Sequence, residues 1–376
     1  LSDAEASWTY KELIAEMSLV FTALEGLEQG AVVGVLGARS LRSVSAMLGI
    51  MRAGCIYLPL DSANPPSRLQ GIAEDAGVQA LLITDEFSAR VADNVASSAR
   101  VIEYFSKGYI EANASFTIGA GNTNAEDSAF PSSTDIAYTI YTSGSTGKPK
   151  GVRVSHGSFA AMIRAQVPAF SITSSDVCGQ FATLAFDASL SEIFLALTQG
   201  ASLAIAPDSA RQDVGVFLEW VDAFGVTAIT LPPAFLRAFD KKRIPGLRVL
   251  VTAGEAADAS DLRYYAKHMT VINAYGPTET SVCATTYRVA ELDEWAFGVP
   301  IGKPLTGTLC SIRDGAGALV ALGVEGELYI GGPTVASGYH ARSELNAERF
   351  GALLPEHPRE CWYRSGDRCR WRDDGL

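Results

Sequence analysis

The first part of the chain alternates between apolar positions at helical spacing and short continuous apolar runs. Between residues 8 and 27, helix-spaced apolar side chains predict a helix. Apolar runs over residues 31–36 and 81–84 predict buried strands, and the segment 41–52, which ends before Gly54, predicts a second helix. This alternation is typical of a parallel sheet flanked by helices.

The same alternation returns after a segment that is rich in Gly, Asn, Ser, Thr and Ala. We interpret that segment, residues 105–134, as a surface linker. From about residue 290 short β segments lie between glycines and predict a β-rich module. The predicted strands beyond the linker are 136–141, 201–206, 226–231, 247–251, 271–274, 309–312 and 327–330, with a helix near 158–165. We therefore predict an α/β protein with lobes at 1–130 and 131–290 and a β-rich subdomain at 291–376.

Composition and charge exclude several classes of protein. The 376 residues are 48% hydrophobic and 19% charged, as expected of a globular chain. A net charge of −12 argues against nucleic-acid and anionic-membrane surfaces, and no apolar run approaches the ~20 residues of a membrane span. The six cysteines form no CxxC pair and no zinc-like spacing, so we expect no metal cluster at cysteines and a reduced cytoplasmic setting.

A strand-like lead-in at residues 138–141 runs into a segment rich in glycine, hydroxyl and lysine side chains. Glycine lets consecutive N–H groups turn toward a ligand, so this composition suits a polyphosphate. The Walker phosphate loop does not fit, because only two residues separate Gly144 from Gly147 and Pro149 follows Lys148. The candidate phosphate-binding residues are Thr142, Ser143, Gly144, Ser145, Thr146, Gly147, Lys148 and Lys150.

Further motifs follow in order along the chain. The segment 273–279 (NAYGPTE) comes after a predicted strand, where ligands bind in open α/β sheets. The segment 363–367 (YRSGD) ends in a carboxylate that suits two adjacent hydroxyls. The segments 186–189 (FDAS), 253–255 (AGE) and 326–332 (GELYIGG) complete the set.

In this order, the motifs resemble those of the adenylate-forming superfamily, which includes amino-acid-activating domains of nonribosomal peptide synthetases, acyl- and aryl-CoA ligases and luciferases. The resemblance extends from Trp8 to Asp367. It implies the large N-terminal core of such an enzyme, with two helix-flanked, mostly parallel sheet lobes and a small distorted β-barrel. Asp187 favours the peptide synthetase branch, in which this aspartate pairs with the α-ammonium of the substrate.

The resemblance also implies an ATP site with Mg²⁺. It assigns catalytic roles to Thr142, Lys150 and Glu279, with Glu279 holding the metal. Tyr275 would pack on adenine, Asn273 would bond its edge, and Asp367 would hold the ribose. Besides the phosphate-binding residues above, the implied ATP-binding residues are Gly254, Glu255, Asn273, Tyr275, Gly276, Thr278 and Asp367.

An amino-acid pocket follows from the same resemblance. Its residues are Phe186, Asp187, Ala188, Ser191, Ala234, Val251, Ala253, Ala274, Val282 and Cys283. Apart from Asp187 they are uncharged and mostly small, which predicts a bulky, uncharged and aromatic substrate side chain. Asp187 also has a simpler interpretation, as the N-cap of a helix over residues 190–198.

Some positions depart from the family pattern, and other functions stay open. Ser365, Ser337 and His340 replace the usual Thr, Arg and Leu.

Two alternatives to amino-acid activation are an acyl- or aryl-CoA ligase core and a non-catalytic nucleotide-binding scaffold. We expect an amino acid as substrate and a peptidyl carrier protein and condensation domain as partners. The family's C-terminal lid, with its bridging lysine, has no counterpart here, so we expect these residues to bind substrates but to form adenylate poorly.

Overall fold

The computed structural model describes residues 1–95, 99–106, 109–112, 130–143, 149–291, 294–295, 298–373 and 375. The chain divides into two compact units. The first comprises Leu1–Gly157 and Thr183–Phe186, and the second comprises Ser158–Ala182 and Asp187–Leu376. The three-part division at residues 130 and 290 stays a prediction.

In the first unit, helices alternate with the strands of a mixed sheet. Its helices are α1 (Tyr10–Ala23), α2 (Leu41–Arg52), α3 (Pro66–Ala76) and α4 (Glu86–Val95). Its strands are β1 (Val32–Leu36), β2 (Ile56–Leu60), β3 (Ala80–Ile83), β4 (Arg100–Ser106), β5 (Tyr109–Ala112), β6 (Ile136–Thr142) and β7 (Lys150–Ser155). They lie in the order β7-β6-β2-β1-β3-β4-β5. The pairs β6–β2, β2–β1, β1–β3 and β3–β4 are parallel, as the alternating pattern predicts.

The linker prediction for residues 105–134 is wrong in part. Strand β5 lies inside this range and pairs with β4 in antiparallel orientation. Residues 113–129 of the predicted linker lie outside the described residues. A polar composition did not prevent strand formation here, because backbone pairing with β4 satisfies the N–H and C=O groups of β5.

The candidate phosphate segment joins two paired strands. β6 and β7 are antiparallel, and Thr142 lies opposite Lys150. A strand, and not a helix, therefore starts at Lys150, directly after Pro149. Gly144, Ser145, Thr146, Gly147 and Lys148 lie outside the described residues.

The second unit contains another helix-flanked sheet. Helix α5 (His156–Phe170) begins in the first unit and continues into the second. The sheet of this unit has the order β14-β13-β12-β11-β10-β8-β9. Its strands are β8 (Val177–Gln180), β9 (Ser202–Ile205), β10 (Ala228–Leu231), β11 (Val249–Thr252), β12 (Thr270–Tyr275), β13 (Thr285–Val289) and β14 (Lys303–Pro304). Its helices are α6 (Ala188–Gln199), α7 (Val214–Phe224), α8 (Pro233–Ala238) and α9 (Ala259–Ala266). From β9 to β12 all neighbours are parallel.

The remaining elements of the second unit are β-rich, as predicted, but the described strands do not close a barrel. They are β15 (Leu309–Arg313), β16 (Gly326–Gly331), β17 (Gly338–Tyr339), α10 (Ser343–Arg349), β18 (Phe350–Gly351) and β19 (Trp362–Cys369). Four of them form an antiparallel sheet in the order β15-β16-β19-β18. The barrel expectation is wrong because β18 has only two residues and pairs with β19, so it does not bridge back to β15.

These sheets and helices confirm the predicted α/β class with helix-flanked, mostly parallel sheets. The described bounds agree closely with the sequence pattern: α2 covers Leu41–Arg52, as predicted, since Ser40 accepts a hydrogen bond from the Ser43 N–H and Gly54 adopts a φ of 70°. No described helix combines the length and the apolar character that a membrane crossing would need.

An aromatic cluster forms part of the core of the second unit. The Phe217 side chain is 0% exposed, and its ring centroid lies 5.3 Å from those of Phe235 and Phe239. The rings of Phe181 and Trp220 lie at 5.8 and 5.7 Å. The contacts with Phe181, Phe235 and Phe239 are edge-to-face or tilted arrangements, which aromatic pairs prefer. The cluster therefore ties α7 and α8 to the segment after β8.

We predict that Phe217→Ala lowers the free energy of unfolding by about 3–5 kcal/mol, because it removes a fully buried ring and leaves a cavity. Chemical denaturation checks the value. Phe224→Ala, which truncates a half-buried ring on the same helix, should cost clearly less. Equal losses for the two variants would contradict the assignment of Phe217 to the core.

Candidate active site

The second unit contains a cavity of about 670 Å³ at the carboxyl ends of β11 and β12. Six of the predicted ATP-binding residues line it: Gly254, Glu255, Asn273, Tyr275, Gly276 and Asp367. The first five follow or end these parallel strands, and Asp367 comes from β19. At Gly254 the φ angle is +94°, and an added Cβ would meet no atom within 4 Å, so its backbone faces open space. The structure thus brings together residues that are up to 113 positions apart in sequence (254 to 367).

Two hydrogen bonds orient the predicted adenosine-binding side chains. The Tyr275 hydroxyl donates to the Asp367 carboxylate. The Asn273 side chain is 5% exposed, and its amide nitrogen donates to the carbonyl of Pro300 at 2.8 Å. That donor is therefore already used by the protein. The assignment of Asn273 to the adenine edge stays a prediction.

Ser365, which replaces the family's threonine, makes two hydrogen bonds that support the site. Its hydroxyl donates to the Leu328 carbonyl at 2.7 Å and accepts from the Asp367 N–H at 3.0 Å. The hydroxyl therefore fixes the backbone of Asp367 to β16. A serine provides both hydrogen bonds as well as a threonine does.

The Glu279 carboxylate is buried and braced by a tyrosine. Glu279 is 5% exposed, and the Tyr339 hydroxyl donates to its Oε1 at 2.6 Å. The Ala336 N–H donates to the Glu279 carbonyl at 2.9 Å. Burial, followed by the Glu279 carboxylate, raises the pKa of Tyr339, so this hydroxyl stays protonated as a donor. Tyr339 is not among the site residues assigned from the sequence, so sequence analysis missed this contact.

The donor set around Glu279 fits a magnesium ion that is shared with a nucleotide. Among the described residues no group of three or more His, Cys, Asp or Glu side chains could hold a metal alone. Mg²⁺ is commonly bound by one or two carboxylates together with substrate phosphates and water. A single oriented carboxylate therefore suits a Mg·ATP complex and does not suit a resident metal.

Asp187 occupies the N-cap position of α6 but does not cap the helix. Its backbone is in the right-handed helical region, and its side chain makes no capping hydrogen bond. The residue is half-buried overall, yet its Oδ2 atom is buried and has no hydrogen-bond partner. Burial, together with the nearby Glu279 carboxylate, raises the pKa of this carboxyl to about 6, and hydrogen bonds from Thr278, Ala188 and Val282 limit the rise. The N-cap interpretation is therefore wrong for the side chain.

A strained turn brings Val282 close to Asp187. Ser281 and Val282 have φ angles of 59° and 74°, a region that a β-branched residue such as valine rarely adopts. The Ser281 hydroxyl donates to the Thr334 carbonyl at 2.7 Å and holds the turn. At Gly276 an added Cβ would lie 2.6 Å from backbone atoms of Cys283 and Ala284. Only glycine at position 276 lets the turn pack this closely.

The other predicted pocket residues lie on neighbouring elements of the second unit. Ala188 and Ser191 lie on α6, Ala234 on α8, and the rest at the ends of β11 and β12 or in the turn that follows. Ser191, Val251, Ala274 and Cys283 are each 4% exposed. Phe186 belongs to the first unit, with Thr142, Ser143 and Lys150, and is 65% exposed. The roles of all these residues remain predictions.

Two buried polar residues near Ser191 were missed from the sequence. Glu192 accepts hydrogen bonds from the N–H groups of Phe181 and Ala182, both at 3.0 Å, and so braces α6 against the end of β8. Gln166 on α5 accepts a hydrogen bond from the Ser191 hydroxyl. The signal for Gln166 was available: it is a polar residue on an apolar face of a helix.

We predict that Asp187→Asn stabilises the fold at pH 7. The pKa of Asp187 is about 6 in the folded protein against an ordinary value of 3.8, so a stability cost develops as the pH rises from about 4 to 6 and is fully present above pH 6. The variant should gain on the order of 2–3 kcal/mol at pH 7, and the gain should shrink as the pH falls toward 4. Denaturation at both pH values tests this. A variant less stable than the wild type at pH 7 would contradict it.

The sequence matches the family model described as AMP-binding enzyme over residues 1–340. Tyrocidine synthase 1 of Brevibacillus parabrevis is 36% identical over 370 residues, which cover 98% of this chain and 33% of that protein. The chain thus spans about a third of the length of the curated relatives it matches first.

Solved structures with the same architecture include two related to peptide synthesis. The N-terminal subdomain of Klebsiella oxytoca NpsA, in complex with 3-hydroxybenzoyl-AMSN, has a TM-score of 0.82 and 26% identity, with 99% of this chain and 90% of that chain covered. A four-domain nonribosomal peptide synthetase bound to AMP and glycine has a TM-score of 0.85 and 29% identity, with 100% of this chain and 27% of that chain covered. The chain therefore belongs to the AMP-binding enzyme family.

Proposed function

We propose that this chain activates an amino acid with ATP, forming an aminoacyl adenylate and pyrophosphate for loading onto a peptidyl carrier protein. The observation that carries the proposal is the buried carboxyl of Asp187, the one charged group among the proposed amino-acid-binding residues. Its Oδ2 has no partner. A buried carboxylate needs a cation, and the α-ammonium of an amino acid supplies one.

Thr278 supports a common site for the two substrates. Its hydroxyl contacts the Asp187 carboxyl, and it directly follows Tyr275, Gly276 and Pro277, which line the cavity. A residue at this point is suited to meet both the amino acid and the α-phosphate. Bound in this way, the substrate carboxylate and the α-phosphorus are brought into reacting geometry.

The reaction then needs positioning and charge stabilisation and no side-chain nucleophile. A carboxylate oxygen of the amino acid forms a bond to the α-phosphorus, and the bond to the β-phosphate oxygen breaks, so that its electron pair leaves with pyrophosphate. Asp367 and Tyr275 hold the nucleoside end, and Lys150 and residues 142–148 are proposed to bind the leaving phosphates. Mg²⁺ held by Glu279 would neutralise charge on the phosphate oxygens.

The amino-acid side chain is proposed to be bulky, uncharged and aromatic. Ala188, Ala234, Ala253 and Ala274 contribute little volume, which supports a deep pocket. Val251, Val282 and Cys283 present apolar surface, and burial raises the pKa of the Cys283 thiol to about 12, so it stays neutral. No cationic or anionic side chain other than Asp187 is among these residues, so a charged substrate side chain would lack a partner.

We expect calorimetry to show that a neutral aromatic amino acid binds in the presence of ATP and Mg²⁺. Asp187→Ala should abolish amino-acid binding and leave ATP binding within about twofold, because ATP does not contact this carboxyl. Glu219→Gln, which changes an exposed carboxylate on α7, is the matched control and should behave like the wild type.

Three other outcomes would overturn parts of the proposal. ATP binding without any amino-acid dependence would indicate a nucleotide-binding scaffold. Coenzyme-A-dependent product formation from an aryl or fatty acid would indicate a CoA ligase. Preference for Asp, Lys or Gly in a panel of amino acids would refute the aromatic assignment and leave the adenylation class intact.

Amino-acid affinity should rise with pH between 5 and 7. The ammonium pairs with ionised Asp187, and with a pKa of about 6 this carboxyl is mostly protonated at pH 5 and mostly ionised at pH 7. We expect about tenfold weaker binding at pH 5. The measurement uses saturating adenosine in place of ATP, since phosphates titrate in this range. A pH-independent affinity in the wild type, or the same pH dependence in Asp187→Asn, would contradict the pairing.

A further inference from the structure

Gln166 is a buried amide on the apolar face of α5. Its side chain is 0% exposed, and the residues one turn before and after it, Met162 and Phe170, are 0% and 2% exposed. Residues four apart lie on the same face of a helix. A side-chain amide at such a position loses its hydration, so it requires hydrogen-bond partners from within the protein or from a ligand.

One of the two polar atoms of the Gln166 amide has a hydrogen-bond partner, and the other has none. The oxygen Oε1 accepts a hydrogen bond from the Ser191 hydroxyl. The nitrogen Nε2 is inaccessible to solvent and has no hydrogen-bond partner. Turning the amide over would exchange the two atoms and still leave one of them unpaired. A buried polar atom without a partner in the protein requires an explanation, and a ligand group or an ordered water can supply the missing hydrogen bond.

The contact with Ser191 places this amide in the proposed amino-acid pocket. Ser191 follows Asp187 by four residues on α6, so the two side chains share a face and are about 6 Å apart along the helix axis. Asp187 marks the end that takes the ammonium. Ser191 and Gln166 therefore lie farther along the pocket, at a separation that is comparable with the length of an aromatic side chain.

A second buried glutamine has the opposite arrangement: the Nε2 of Gln180 is paired, and its Oε1 has no partner. Gln180 on β8 is 1% exposed, and its Nε2 donates to the Ala182 carbonyl at 2.6 Å and to the Glu192 carboxylate at 3.1 Å. Its amide protons thus serve the fold. Those of Gln166 have no such use within the described structure.

We propose that Gln166 is a specificity-determining residue that binds a hydroxyl group on the substrate side chain, so that the substrate is a hydroxyl-bearing aromatic amino acid such as tyrosine. Nε2 of Gln166 donates to the substrate hydroxyl oxygen, and that hydroxyl donates to Ser191 Oγ, which itself donates to Gln166 Oε1. Every polar atom of the group is then paired. This inference rests on the proposed amino-acid activation at the same pocket.

The test compares two non-hydrolysable adenylate analogues, tyrosyl- and phenylalanyl-sulfamoyladenosine, by calorimetry on this chain. Binding of these analogues requires no catalysis. We expect the tyrosyl compound to bind about tenfold to a hundredfold more tightly, because the phenylalanyl compound leaves the buried amide unpaired. Equal affinities, or tighter binding of the phenylalanyl analogue, would overturn the inference.

Two variants separate hydroxyl recognition from a structural role. Gln166→Met keeps the length of the side chain and removes the donor, and it should bring the two affinities within about twofold of each other by weakening the tyrosyl analogue. Gln180→Met is the matched control and should keep the preference, whatever its effect on stability. An unchanged preference in Gln166→Met, or an equal loss for both analogues, would show that Gln166 only supports the fold.

The wild-type comparison stands even if Gln166→Met does not fold, and Gln166→Leu provides a second apolar replacement. Failure of the proposed function gives a different result. If neither analogue binds more tightly than adenosine, the chain does not take an aminoacyl adenylate. If both analogues bind tightly and equally, the proposed amino-acid site is retained, and only the proposed role of Gln166 is rejected.

Discussion

The buried carboxyl of Asp187 is the constraint around which the second unit is arranged. Burial and then the Glu279 carboxylate move the pKa of this acidic group to about 6, and a few local donors limit the rise. Those donors come from Thr278 and from the backbone at Ala188 and Val282. The start of α6, the turn after β12 and the nucleotide cavity must therefore keep fixed positions relative to one another, or the carboxyl would lose its partial stabilisation.

Residues outside the predicted ligand contacts provide much of this rigidity. Glu192 fixes α6 to the end of β8, Tyr339 orients Glu279, and Ser365 anchors Asp367. Glu192 and Ser365 accept hydrogen bonds from backbone N–H groups, whereas the Tyr339 hydroxyl donates to the Glu279 carboxylate. Such supporting contacts reduce the rotamer freedom of the site before any substrate binds, so that less ordering is needed on binding. The strained backbone at Val282 persists for the same reason.

The helices and strands that the sequence pattern predicted lie within a few residues of the described bounds, because turn residues and helix caps act locally. Helix α2 is an example, with Ser40 before it and Gly54 after it. The sequence pattern did not predict β5, where pairing with β4 decided the structure. A barrel was also expected from the sequence, whereas the short β18 leaves the described sheet open. Both failures concern strand pairing, which depends on residues distant in the chain.

What the sequence determined by itself is the chemistry available along the chain: the order of the glycine-rich and acidic motifs, the position of Asp187 and the alternation that produces helix-flanked sheets. Only the tertiary structure decided which groups meet. Gln166 contacts Ser191 across 25 residues, and Tyr275 contacts Asp367 across 92. The burial that raises the pKa of Asp187 and leaves Gln166 Nε2 unpaired arises from such contacts. Desolvation depends on every element packed around a group, and no local pattern of residues records it.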